Sequence, residues 1–595
     1  MRRCQSLICQ VMNSTPLRRI TGAAVWSLLS LVAVTKLTAA TGTAAPTDGT
    51  PHLRRQGTAT QLVVDGQPFL VIGGELRNSS SSSRAYMEPI WDRLVAMNLN
   101  TVLAAVSWEL LEPEEGRFDF TLVDELVADA REHKLKLVLL WFGAWKNGLS
   151  SYAPVWVKRD PPRFPRVQLD NGQYPELLSP LALGTAGVEA RAFAALMKHL
   201  RAVDGREHTV VMVQVENEPG VLNDSRDRSP AAEAVFAQPV PAELMNLFVR
   251  PKATLAPELR QVWEANGSRT SGSWAEVFGA TKPKEFVLTW DLPEPLRQTE
   301  WRKFHWPVDE IFMAWHYARY VNVVTAAGKR EYNIPMFANA WLQQPGCSYP
   351  GTYPSGGPVF QVADVWRAGA PSLDLLAPDL YVPEFGELCE KYVRAGNPLF
   401  IPETSRGPRA PFNLFLAVGK YAAIGFSPFG IDRPAFGPPP AAPASDRGGA
   451  PNPTLEQSYE IMRQIAPLVL QHQGTDRITG FILDKDNPSF VTTLGGTEIE
   501  IGLDLAFGRR AEQGFGIVIA VGPDEFYGAG AGFCVTFRPA GKSRRGVGTV
   551  DEGVFRDGKW IPGRRLNGDE TDQGRSWRFA PSGLAIERCT AYRIQ

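Results

Sequence analysis

Two glutamates stand at the ends of apolar runs that read as buried strands. Val210 to Val215 is a short β-branched run that delivers Glu216, Asn217 and Glu218 just ahead of Pro219-Gly220, a pair that cannot extend a central strand. Pro398-Leu-Phe-Ile401 does the same for Glu403. Taken alone, the first segment reads equally as a solvated loop. The second acid changes that, because a lone Glu after a buried strand has to be hydrated, paired or functional. Two carboxyl groups facing over one opening suit glycoside hydrolysis: one, protonated, donates to the leaving oxygen, and the other, ionised, attacks or activates water. A separation near 5 Å goes with double displacement and retention, a wider one with inversion. Like charges that close also raise one pKa, which keeps the donor protonated near neutrality. Metal chemistry is the competing use of such a pair, but His199, His208, His305 and His316 fall in helices or an insert, so neither metal nor cofactor is expected.

The elements that must bring the two acids together follow from the alternation of short apolar runs with helical patterns, the mark of βαβ units. The runs are Phe69 to Gly74, Thr101 to Ser107, Leu135 to Phe142, Val210 to Val215, Ile334 to Ala340, Leu373 to Ala377, Pro398 to Ile401 and Ala422 to Phe426. Helical spacing marks Ala85 to Met97, Leu122 to His133, Val188 to Leu200, Val308 to Gly328 and Phe385 to Ala395. The fold class is α/β, a (β/α)8 TIM barrel, with a doubly wound sheet as the competing topology. In the barrel, strands four and seven face each other, so Glu218 and Glu403 converge. Residues 221 to 307 are too long for an ordinary connection. They carry Trp263, Trp274, Trp290, Trp301 and Trp306, and read as a helical insert after strand four, either walling a cleft or burying its own aromatics. A Pro/Gly/Ala-rich loop, Pro434 to Pro453, precedes a closing helix at Leu455 to Gln471.

After residue 475 the helices stop. Ile478 to Leu483, Phe490 to Thr493, Ile499 to Leu503, Phe515 to Val521 and Phe533 to Phe537 predict a C-terminal antiparallel β-sandwich that supports the barrel or binds sugar. The expected layout is a leader over 1–45, a catalytic barrel over 46–475 and a sandwich over 476–595. Arg18 and Arg19 before the apolar run Gly22 to Val34, followed by small residues, resemble a secretory signal, with Met12 as an alternative start and a membrane anchor as the weaker reading. Export to periplasm or beyond follows, with no membrane association once the signal is removed. Only Cys347, Cys389, Cys534 and Cys589 then remain, too widely spaced for a disulfide scaffold. With 62 basic and 63 acidic residues and no basic block, nucleic acid is not an expected partner, whereas an oligosaccharide or polysaccharide is. Homo-oligomerisation is left open.

With both acids located, the chain resembles the retaining (β/α)8 glycoside hydrolases, with Asn-Glu ending strand four and Glu ending strand seven. Within them it looks most like glycoside hydrolase family 35, the β-galactosidases. The motifs are Gly73-Gly74-Glu75, Trp91-Asp92-Arg93-Leu94, Leu99-Asn100-Thr101-Val102, Trp108 to Glu112-Pro113 with Gly116, Phe118-Asp119-Phe120, and Gln214-Val-Glu216-Asn217-Glu218. The resemblance implies Glu218 as acid/base, Glu403 as nucleophile, Asn217 as partner of the sugar 2-hydroxyl and Tyr381 as the group holding the nucleophile. Glu112 either touches sugar or anchors its loop, and Glu216 becomes a supporting ion. The chain departs from the pattern at Leu76-Arg77-Asn78-Ser79-Ser80, where a Tyr contact is lost or replaced by Asn78. It departs again at Phe142-Gly-Ala144-Trp145-Lys146-Asn147-Gly148, where a sugar-binding Glu is missing and Trp145, Lys146 and Asn147 become candidates to line the glycone pocket. The expected activity is that of a retaining exo-β-glycosidase releasing terminal β-galactose from oligosaccharides or plant cell-wall side chains. A mannoside, glucoside or arabinoside is the alternative substrate, and a carbohydrate-binding protein on an inactive barrel the non-enzymatic one.

Overall fold

The computed structural model describes residues 49–249, 255–280, 299, 301–433, 449–506, 509–539 and 544–594. The leader-like opening, Trp290 and most of the Pro434 to Pro453 loop lie outside them. Eight parallel strands form one sheet: β1 (Val71–Glu75), β2 (Thr101–Ser107), β3 (Lys136–Lys146), β4 (Val210–Asn217), β5 (Met336–Trp341), β6 (Leu375–Asp379), β7 (Phe400–Ile401) and β8 (Gly425–Phe426). The sheet comes round on itself: β8 pairs with β1 at Gly425 and Val71, and the Leu380 N–H donates to the Glu403 carbonyl at 2.9 Å across the β6–β7 seam. This is the barrel that the alternation predicts. Leu103, Val138, Leu140, Val211, Phe337 and Phe400 fill its interior, so apolar burial closes the ring and leaves the carboxyl ends of the strands to hold polar groups.

Leu62 and Val64 join the same interior cluster from a three-stranded antiparallel sheet, His52–Gln56, Ala59–Val64 and Gln67–Phe69, which runs directly into β1. Around the ring, helices Thr121–Glu132, Leu183–Asp204, Pro307–Glu331 and Phe385–Val393 cover the strands where helical spacing predicts them. The single helix expected over Ala85 to Met97 is instead two, Arg84–Met87 and Trp91–Ala96, split where Pro89 cannot continue a helical ladder.

The insert holds short helices, Pro230–Phe236, Ala242–Phe248, Pro257–Ala265 and Trp274–Phe278. Three of its tryptophans serve packing: Trp263, Trp274 and Trp301 are buried, and Trp274 meets Phe312 edge-on at 5.1 Å. Of the two readings of that aromatic surplus, core filling holds for these three. Past helix Leu455–His472, a six-stranded and a four-stranded antiparallel sheet enclose a core that includes Ile499, Val518, Phe533 and Trp577. Barrel and sandwich form one compact unit with a shared apolar seam, in which Phe412 lies 4.2 Å from Phe515. Cys389, Cys534 and Cys589 are free thiols. Among the described residues no helix is long and apolar enough to cross a membrane.

Candidate active site

The site is assembled at strand ends. β3 carries a bulge: its register with β4 jumps from Trp141 opposite Val215 to Lys146 opposite Asn217. The bulge takes the Ala144 and Trp145 N–H groups out of the ladder, and the Glu216 carboxyl accepts both, at 3.2 and 2.8 Å. Glu216 and Glu218 both adopt left-handed backbone, φ 65° and 46°, so the chain turns sharply on either side of Asn217. Glu216 is directed outward into the wall and Glu218 into the opening. The Asn147 and Gly148 N–H groups brace the turn by donating to the Asn217 and Glu218 carbonyls at 3.2 and 3.1 Å.

Glu218 and Glu403, distant in sequence, meet as predicted. Glu218, Asp379 and Glu403 each bring a carboxylate oxygen within 4.8 Å of the other two, and all three residues are buried. Glu218 is 5% and Glu403 6% exposed. Donors converge on Glu403: the Tyr381 hydroxyl at 2.9 Å, Asn217 Nδ2 at 3.4 Å and Lys146 Nζ at 3.9 Å. Lys146 also donates to Asn217 Oδ1 at 2.8 Å, which orients that amide. Tyr381 is 47% exposed and forms the rim. Burial, then Glu403, pushes the Tyr381 phenol far up, so it stays a donor.

The electrostatics divide the acids. Burial, then the charge of Glu403, raises Glu218 to about 7, against the opposing pull of Lys146 and a hydrogen bond with Asp379. Glu75, at the end of β1, and Asp379, at the end of β6, are pushed well above the carboxylate range, first by burial and then by Glu403. Burial opposes the charge on Lys146, but Glu403, Glu218, Glu75 and Asp379 outweigh it and hold the ammonium above its ordinary value. The three clustered carboxylates have the geometry to ligate a cation, yet the positive charge beside them is already supplied by Lys146.

Several expected contacts are placed elsewhere. Trp145 has 0% exposure; its indole donates to the Leu178 carbonyl at 3.0 Å and packs on Tyr317 and Tyr320, so it is core and not pocket lining. Glu112 accepts Trp108 Nε1 and the Gly116 N–H, both at 2.7 Å, which makes it the anchor of its own loop. Asn78 opens onto a neighbouring cavity of about 270 Å³ shared with Ser107 and Tyr152, whose lining includes none of Glu75, Glu218, Asp379 and Glu403. Asn147 is half-buried and contributes its backbone. Glu216 supports the site by holding the bulge, and burial, then Glu189 beside it, drives its pKa well up, which disfavours the ion that the sequence leads one to expect. Glu75, Asn339 and Asp379 are the residues that strand-end reading missed. Asn339 and Asp379 were visible as polar residues inside or ending apolar runs.

A family model described as Beta-galactosidase, that of glycoside hydrolase family 42, matches residues 79–321, a span that includes Glu218 and stops short of Glu403. Another, described as a domain of unknown function (DUF5597), matches residues 455–578. A β-galactosidase of Xanthomonas manihotis is 35% identical over 105 residues, 18% of this chain and 16% of that protein. Human Beta-galactosidase-1-like protein 3 is 29% identical over 214 residues, 34% of this chain and 29% of that protein. The exo-β-D-glucosaminidase of Thermococcus kodakarensis is 25% identical over 306 residues, 46% of this chain and 34% of that protein. The chain therefore spans under two thirds of each of these relatives. These matches support a glycoside hydrolase of β-galactosidase-like type; the family model that matches is that of family 42, whereas the opening motifs resemble family 35.

Proposed function

We propose that the chain is a retaining exo-β-glycosidase acting on terminal β-galactosides. The observation that carries this reading is that Glu218 and Glu403 each bring a carboxyl oxygen within 4.8 Å of the other, an approach that fits the roughly 5 Å of double displacement better than the wider gap of inversion. Glu403, oriented by Tyr381, Asn217 and Lys146, attacks the anomeric carbon while Glu218 gives its proton to the leaving oxygen. Glu218, now ionised, removes a proton from water, which opens the glycosyl ester and restores both groups. A pKa of about 7 suits a group that must donate and then accept near neutrality. Asn217 faces the position of the sugar 2-hydroxyl, where a hydrogen bond strengthens as positive charge develops. The depth of both acids, 5% and 6% exposed, favours release of end residues over internal cutting.

Purified protein is expected to hydrolyse an aryl β-galactoside with the β-anomer appearing first by NMR, and Glu403→Ala to lose several orders of magnitude in kcat while staying folded. Near-normal turnover by that variant, or the α-anomer appearing first, contradicts the reading. A second glycone is favoured by the match to an exo-β-D-glucosaminidase, and a panel of aryl glucosides, mannosides, arabinosides and glucosaminides decides between them. Tight galactoside binding without turnover favours the inactive-barrel alternative. Export is part of the proposal, supported by the leader-like run Gly22 to Val34 and tested by the N-terminus of protein recovered outside the cytoplasm.

A further inference from the structure

Double displacement needs two carboxyls, and the site holds a third pressed against them. Asp379 ends β6, is 3% exposed, and contributes an oxygen to the cluster within 4.8 Å of both Glu218 and Glu403. Its environment fixes where a proton must sit. The Glu218 backbone N–H donates to Asn339 Oδ1 at 3.0 Å, which leaves Asn339 Nδ2 as the donor at the other end of that amide. Nδ2 donates to Asp379 Oδ2 at 2.8 Å. Among the described residues no N–H or hydroxyl donates to the buried Asp379 Oδ1, and the Asp379 carboxyl lies within hydrogen-bonding reach of the Glu218 carboxyl. Two bare carboxylate oxygens in contact repel, so the contact is stable when one of them carries a proton.

We propose that Asp379, held by Asn339, is a positioning residue for the acid/base: as a neutral acid it donates from Oδ1 to Glu218, closing a ring that runs from the Glu218 backbone through Asn339 and Asp379 to the Glu218 side chain. When Glu218 hands its proton to the leaving oxygen, the carboxylate left behind keeps the Asp379 hydrogen bond, and no further proton moves. The bond opposes the upward push that burial and Glu403 exert on Glu218, and so trims its pKa toward neutrality. Facing Asp379 from the other elements are Glu218 just beyond β4, Glu403 just beyond β7, Glu75 on β1 and Lys146 on β3, with Tyr381 just beyond β6 and Tyr392 on the helix Phe385–Val393. Lys146 is the one cation among these groups. The excess of carboxyls over cations is the reason a neutral Asp379 is favoured.

The proposal rests on the functional reading for its kinetic consequence but not for its protonation state, and two measurements separate them. The first is the pH profile of kcat/KM for Asp379→Asn and Asp379→Ala, on whichever aryl β-glycoside the wild type cleaves fastest. The Asn side chain still donates, so its basic limb stays with the wild type. The Ala variant loses the donor, Glu218 holds its proton to higher pH, and the limb moves up by about one pH unit. A limb that moves equally in both variants, or in neither, overturns the proposal. The second is the infrared difference spectrum between wild type and Asp379→Asn, taken well above the Glu218 titration. The bands of the other buried acids cancel in the difference, which is expected to keep one protonated-carboxyl carbonyl band present only in the wild type, and absence of that band overturns the proposal even if the Ala variant does not fold. This readout needs no turnover, so a chain that cleaves no glycoside sinks the functional reading alone.

Discussion

Glu112 and Glu403 are both buried glutamates at the mouth of the barrel, and what separates them is the state of their oxygens. Glu112 has each oxygen engaged at 2.7 Å, by the Trp108 indole and by the Gly116 N–H, within its own loop. A sugar hydroxyl would have to displace one of those bonds. Glu403 faces donors from three different strand ends and shares its opening with two other acids. Glu112→Ala is therefore expected to leave KM within about twofold and to lower stability by about 1–3 kcal/mol, because the fully buried Trp108 N–H loses its acceptor. Urea midpoints with parallel kinetics check this, and a large rise in KM at unchanged stability would return Glu112 to the sugar site. In the sequence the two glutamates look alike, since hydrogen-bond saturation is a property of the fold.

At the level of elements, the strand ends were legible and the side chains between them were not. An apolar run followed by an acid and a proline defines where a strand stops, which is why Glu218 and Glu403 were found. The bulge in β3 has no such mark. It rotates Trp145 into contact with Tyr317 and Tyr320 and leaves Lys146 in the opening, so of three consecutive residues assigned to one pocket the first packs in the core and the second reaches Asn217 and Glu403. Asn339 and Asp379 were passed over because one polar residue in an apolar strand is weak as a pattern, although each must find a buried partner. In the sandwich, Gly-rich Glu525–Ala531 and charged Arg544–Arg556 are strands that the alternation rule did not select, because their pairing is carried by backbone ladders on both sides. The bulge also explains Gly143. A Cβ there would lie 2.0 Å from Glu189 Oε1 and 2.4 Å from Trp141 Nε1. Gly143→Ala is expected to cost about 1–3 kcal/mol and to lower kcat, because Glu189 steadies Glu216, and Glu216 holds the bulge that carries Lys146. Wild-type stability in that variant would mean that the wall is softer than its contacts imply.

Across the whole molecule, buried acids outside the site make stability depend on pH. Glu310, on the helix Pro307–Glu331, accepts the Tyr353 hydroxyl at 2.8 and 2.9 Å, and burial pushes it up to about 8. Glu587 in the sandwich, accepting Trp577 Nε1 at 2.7 Å, is likewise raised by burial to about 8. In the unfolded chain each titrates at about 4.3, so the folded state binds more protons between that value and 8. A raised folded pKa gives stability that is full below the unfolded value and lost as pH rises through the folded one. Stability is therefore expected to fall by a few kcal/mol between about pH 5 and pH 8, and Glu310→Gln to flatten part of that slope. Denaturant midpoints at successive pH values measure it, and equal slopes in wild type and variant would contradict the assignment.

The central claim is that Glu403 forms the bond to sugar, and trapping that bond tests it most directly. Incubation with a fluorinated, activated β-galactoside, whose glycosyl-enzyme forms faster than it hydrolyses, should inactivate the protein with one sugar per chain. Mass analysis of peptides should place that sugar on Glu403. A sugar found instead on Glu218, Asp379 or Glu75, or turnover continuing with no adduct while the natural galactoside is cleaved, would contradict the account.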